Sequence, residues 1–168
     1  IVCALRNEDE AQSVRLAELA LSWRERGCVG FDLAGEEAGY PAKDHLRAFQ
    51  LAKRMNFSIT IHAGESFGPE SIWQALQYCG AHRIGHGTRL SEDIDRSDGR
   101  IAKIGPLAQY VVDHRIPLEV CISSNVHTGP TATLASHPFP AFHALGFRLT
   151  LNTDNRLMSR TDLSTEYH

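Results

Sequence analysis

The sequence predicts an α/β protein built as an incomplete (β/α)8 TIM-type barrel, with about six of the eight parallel strands present. Three observations lead there. Short apolar runs alternate with longer amphipathic stretches, as in a βαβα chain. Glycines 27, 80 and 146 each end a helical pattern just before an apolar run. A polar or ionisable residue next to a small one closes nearly every run, and five successive strands contributing at their carboxyl ends is the habit of a closed barrel. An open sheet concentrates its ligands at one switch point instead.

The apolar runs at residues 1–5, 28–33, 58–62, 82–86, 118–123 and 147–152 are the expected strands. Helices are expected over 12–26, 43–56, 69–79, 91–115 and 138–145. In the first of these, Val14, Leu16, Leu19, Ala20 and Trp23 recur at three- and four-residue spacing and form one apolar stripe to dock on a sheet. Neither a tandem repeat nor a low-complexity tract divides the chain, so residues 1–168 are read as a single catalytic domain. Ile1 already falls inside a strand-like run. Six runs where a barrel has eight, in typically about 250 residues, lead to the expectation of a fragment that lacks its amino-terminal part.

Composition narrows the function class. With 42% apolar and 22% charged residues the chain has material for one core. A formal charge of -3 with scattered Lys and Arg gives no basic patch, so no nucleic-acid partner is expected. No stretch approaches the roughly 20 apolar residues of a membrane span, so no membrane partner is expected either. Cys3, Cys28, Cys79 and Cys121 lie far apart with no C-x-x-C pair, and are read as reduced core thiols in a cytoplasmic protein. The oligomeric state is left open.

The chemistry concentrates at the strand ends. His62 ends an apolar run and Glu65 follows across an Ala-Gly turn that lets the backbone bend sharply, so both can face one cavity. Imidazole is the commonest zinc-enzyme ligand, and a carboxyl beside it is suited to moving protons. A core histidine and a helix-capping acid are the plainer alternatives. His86, flanked by glycines 85 and 87, is open to close approach by a ligand. Asp154 follows a run with a buried-strand pattern, where a carboxylate is costly without a cation or hydrogen bonds.

The strings F-D-L-A-G at 31–35, I-H-A-G-E at 61–65, R-I-G-H-G at 83–87 and L-N-T-D-N at 151–155 occur in that order, each at the end of an expected strand. Together they resemble the adenosine deaminase family, over essentially the whole chain, and N-T-D-N-R-L-M-S at 152–159 looks most like its bacterial members. The resemblance implies one Zn2+ per active site, held in part by His62 and Asp154. It implies Glu65 as proton donor to the purine ring and His86 as the residue that orients and helps deprotonate the hydrolytic water. It further implies Gly35 presenting its backbone amide to the purine edge, with Asn155 at the imidazole side of the base. The implied reaction is hydrolytic deamination of adenosine, and of deoxyadenosine, to inosine and ammonia in purine salvage. Adenine or another 6-aminopurine is the alternative substrate.

Two departures from the family pattern stand out. Asn155 replaces the second aspartate of many members; its amide can donate to an unprotonated purine nitrogen. The H-x-H pair that supplies two further zinc ligands is absent from these 168 residues. Two protein ligands make a poor zinc site. The chain by itself is therefore expected to be inactive, with an inactive truncated remnant as the reading from another class. His127, after the fifth run, is a further candidate for touching substrate. His45, His114, His137, His143 and His168 are read as residues of polar helix faces, loops or the terminus, and Glu92 to Asp98 as a solvated loop face.

Overall fold

The computed structural model describes residues 1–97 and 100–168. Its strands and helices follow in chain order. β1 (Val2–Leu5) leads to α1 (Glu10–Ser22), β2 (Gly30–Ala34) to α2 (Leu46–Arg54), and β3 (Ser58–Ala63) to α3 (Pro69–Gln77). Then come β4 (Arg83–His86), the hairpin β5 (Ile94–Ser97) and β6 (Arg100–Ile104), α4 (Pro106–Asp113) and β7 (Leu118–Val120). α5 (Ile122–His127), α6 (Phe139–Ala144), β8 (Leu149–Leu151), α7 (Arg156–Ser159) and α8 (Leu163–Glu166) complete the chain.

Six strands form one sheet in the order β1-β2-β3-β4-β7-β8, and every pair in it is parallel. No strand order reverses, so the sheet grows in one direction as the wall of a barrel does. Alternation along each strand divides the wall into two faces. Phe31, Leu33, Ile59, Ile61, Ile84, Leu118 and Val120 are buried beneath the helices, with Phe31 and Phe49 rings 5.5 Å apart. Cys3, Asp32, Thr60, His62, Gly85, Glu119 and Cys121 face the concave side and line a cavity of about 310 Å³. The register Cys3↔Asp32 and His62↔Gly85↔Glu119 sets these residues side by side.

Local chemistry explains the helix boundaries. α1 starts two residues earlier than expected because Asp9 accepts a hydrogen bond from Gln12 N at 2.6 Å, and Gly27 at φ 95 closes the turn beyond it. Its buried face is Ser13, Ala17 and Ala20, whereas Leu19 and Trp23 of the expected stripe are exposed. Small residues are needed there because α2 packs close, and Ser13 Oγ lies 2.7 Å from His45 Nδ1. His45 is thus buried, contrary to the polar-face expectation.

The expected helix at 91–115 is corrected to a 3-10 turn at Thr88–Asp93, the β5–β6 hairpin and α4. Asp93 decides this. Its main-chain oxygen accepts from Gly105 N at 2.7 Å and its carboxylate from Ala108 N at 2.8 Å, so α4 can begin only at Pro106. The hairpin ahead of it sets Asp95 opposite Lys103. Asp93 therefore leaves the expected acidic loop face, and Asp98 lies outside the described residues. The fifth expected strand also stops early, because residues 122–127 turn at once into α5.

All four cysteines are free thiols; Cys79 and Cys121 are buried as expected, while Cys3 is exposed on the concave side. Among the described residues no helix is long and apolar enough to cross a membrane.

Candidate functional site

The parallel wall brings four of the expected residues to its carboxyl edge. His62 stands near the end of β3, with Nδ1 3.0 Å from Asp32 Oδ2 and 3.2 Å from Oδ1. Nδ1 therefore carries a proton, and the Nε2 lone pair is left to face a cation. Burial would push this imidazole down, but the hydrogen bond and charge of Asp32, with Asp154 and Glu65 farther off, raise its pKa above the ordinary histidine value. Asp32 is a site residue that the sequence marked only as a polar strand end.

Glu65 is held through its main chain. Gly64 at φ 69 reverses the backbone, and the buried Glu37 carboxylate accepts three amides from the turn: Gly64 N at 2.8 Å, Glu65 N at 2.8 Å and Ser66 N at 2.9 Å. Arg6, only 2% exposed, ties this clamp to the strand ends by donating to Tyr40 O at 2.7 Å and to His62 O at 2.8 Å. Burial pulls its guanidinium below the ordinary value against the charge of Glu37. Neither Glu37 nor Arg6 was singled out from sequence, since a lone charge in a mixed stretch reads as solvent-exposed.

The Glu65 side chain points into the site. Its Oε1 accepts from Thr128 Oγ1 at 2.9 Å, and its Oε2 lies 3.5 Å from His86 Nε2. His86 is buried at φ 62, a conformation rare for a residue with a side chain. Gly87 at φ 68 follows, and together the two turn the ring toward His62, with ring centroids 5.1 Å apart. Burial lowers the His86 pKa, against the opposing charge of Glu65. Asp154 also takes a left-handed conformation, at φ 51, and its Oδ2 accepts from Ser124 Oγ at 2.7 Å.

One ligand atom each from Glu65, His86 and Asp154 lies within 4.8 Å of the other two, a spacing compatible with one cation. His62 borders this group, and His62, His86 and Asp154 share the cavity lining. The donor set suits a cation: an imidazole nitrogen left free by the Asp32 contact, and a carboxylate whose second oxygen is open. The buried-strand reason for a cation at Asp154 is corrected, because Asp154 is exposed. β8 is the edge strand of the sheet, so one flank of its end meets solvent.

The remaining candidates fall around this centre. Gly35 follows β2 at φ 99, where an added Cβ would meet only Arg6, at 3.6 Å and beyond. Asn155 caps α7, its Oδ1 accepting from Met158 N at 3.1 Å, which leaves the amide nitrogen as a donor. His127 is exposed at the end of α5 and lines a separate surface pocket with Ser123 and Leu134. His137 is corrected from a polar surface position to a buried one, with Nε2 3.2 Å from Asn125 Oδ1.

The family model for adenosine deaminase matches residues 1–168. Adenosine deaminase 1 of Streptomyces coelicolor is 55% identical over 157 residues, which is 94% of this chain and 40% of that protein. The adenosine deaminase of Mycobacterium leprae is 50% identical over 168 residues, covering all of this chain and 46% of its own length. The chain thus spans less than half the length of these relatives. The crystal structure of adenine deaminase from Arthrobacter aurescens superposes with a TM-score of 0.85 at 27% identity, covering 98% of this chain and 47% of that one.

Proposed function

The chain belongs to the adenosine deaminase family, and from that membership we propose that it carries most of the active site of a hydrolase that converts adenosine and deoxyadenosine to their 6-oxo products and ammonia in purine salvage. The observation that carries the reading is the convergence of Glu65, His86 and Asp154 beside an Asp32-bound His62.

In this reading His62 Nε2 and Asp154 hold zinc, with the remaining ligands outside these 168 residues. Zinc supplies the Lewis acidity that makes water nucleophilic near neutral pH. The chain's own groups do the rest. Glu65, aimed by Thr128 and by the Glu37 clamp on its main chain, hands a proton to the ring nitrogen beside the amine-bearing carbon. That proton transfer weakens the ring's aromatic resistance to attack at the carbon. His86 holds the attacking water toward it, and Ser124 keeps Asp154 turned inward. Gly35 N and the Asn155 amide nitrogen meet the purine edge; of the water's two protons one replaces the proton that Glu65 gave up and the other passes to the amine, which leaves as ammonia. The partner is a small purine nucleoside in a cytoplasmic setting, with no nucleic acid or membrane involved.

Adenine is the second reading, favoured by the fold match to an adenine deaminase. The test reads the coding frame upstream of Ile1 for an H-x-H pair and assays the zinc-loaded product with adenosine, adenine and adenosine monophosphate for ammonia. Ammonia from adenosine supports the proposal. Ammonia from adenine alone favours the second reading, and none from any substrate overturns both.

A further inference from the structure

We infer that Asn125 is a positioning residue that fixes His86 as the tautomer protonated on Nε2, and that the direction of this arrangement is set by the first backbone amide of α6. The residues involved are all buried: His86 is 1% exposed, Asn125 0%, Thr88 2% and His137 4%. They come from three parts of the chain that only the fold brings together.

The direction of each hydrogen bond follows from one group with no freedom. Phe139 N can only donate, and it lies 3.0 Å from His137 Nδ1, so that nitrogen offers a lone pair. Burial holds the His137 pKa at about 4, so at neutral pH the ring is uncharged and its one proton sits on Nε2. That Nε2 is 3.2 Å from the Asn125 side-chain oxygen, which accepts from it and, at 2.8 Å, from Thr88 Oγ1. With its oxygen engaged twice, Asn125 must turn its amide nitrogen the other way. Nδ2 lies 3.0 Å from His86 Nδ1 and donates to it. Flipping the amide would set N–H against N–H at His137, an arrangement a buried site does not tolerate.

The consequence appears at the other end of the His86 ring. With Nδ1 accepting, neutral His86 carries its proton on Nε2, the atom that faces Glu65 Oε2 at 3.5 Å. Neutral His86 therefore enters the site as a hydrogen-bond donor. His62 presents the opposite face: Asp32 claims its Nδ1 proton and leaves Nε2 bare. Two histidines with rings 5.1 Å apart are thereby given opposite tautomers, one by a carboxylate and one by an amide.

The inference rests on the proposed function only in treating the Nε2 side of His86 as the reacting side, and its test reads no activity. Long-range proton–nitrogen correlation spectra of the 15N-labelled 168-residue chain at neutral pH report which imidazole nitrogen is protonated. The expected result is a bare Nδ1 and a protonated Nε2 on His86. In Asn125→Asp, where an acceptor replaces the donor at nearly the same volume, His86 Nδ1 gains a proton, while Thr88→Val leaves the wild-type pattern in place. A protonated Nδ1 in wild type, or an unchanged Nδ1 in folded Asn125→Asp, overturns the assignment. Should that variant not fold, the wild-type spectrum decides alone.

Discussion

Asp32 Oδ2 sits 3.0 Å from His62 Nδ1, one strand over in the parallel wall, and this contact determines which face of the imidazole is free to bind. A carboxylate behind a ligating histidine raises its basicity and fixes its orientation. Asp32→Asn keeps the shape and removes the charge. Zinc affinity of the protein that also carries the upstream ligands, measured by competition with a fluorescent chelator, is expected to fall about 10- to 100-fold. Unchanged affinity would show that His62 binds without Asp32.

Glu65→Gln tests the proton path. The Glu37 clamp grips the main chain of the turn and not the Glu65 side chain, so the backbone is expected to stay in place. In the zinc-loaded enzyme, ammonia release is expected to drop by roughly 10²- to 10⁴-fold with zinc content unchanged. Loss of zinc in step with activity would instead make Glu65 a ligand.

Glu37→Ala leaves three amides without an acceptor and Arg6 without its nearby negative charge. Gly64 N is buried while the other two amides are only partly so, and an orphaned buried donor costs on the order of 1–3 kcal/mol, so a loss of about 1–3 kcal/mol is expected in urea unfolding. A shift below about 1 kcal/mol would mean that water replaces the carboxylate.

Acid stability reports on His137. Its pKa is about 4 in the fold against 6.5 for the ordinary side chain, because burial disfavours the charged form. Between those values the unfolded chain binds a proton that the folded one refuses. The contribution is whole above pH 6.5 and is lost as pH falls toward 4, by roughly 3 kcal/mol in all. His86 acts in the same direction and His62 in the opposite one, so the quantity to measure is the stability gap between wild type and His137→Gln. That gap is expected to narrow from pH 6.5 to 4; a constant gap would refute the assignment.

Much of this molecule was legible in its amino-acid order. The six wall strands, the helices between most of them, and the meeting of His62, Glu65, His86 and Asp154 at one edge follow from short apolar runs alternating with amphipathic stretches and from polar strand ends, which depend on local pattern alone. The misreadings fall where a distant partner overrides local preference. Residues 94–97 and 100–104 pair as strands because Asp93 delays the next helix, and His45 and His137 are buried because partners remote in sequence satisfy them.

What only the tertiary structure decided is the polarity of the site. Which residues stand at the strand ends is a property of the sequence. Which nitrogen of each histidine bears the proton depends on Asp32 at 3.0 Å and Asn125 at 3.0 Å, residues 30 and 39 positions away. Hydrogen bonds act over a few ångströms and in one direction, so their sense exists only once the wall has closed those sequence gaps.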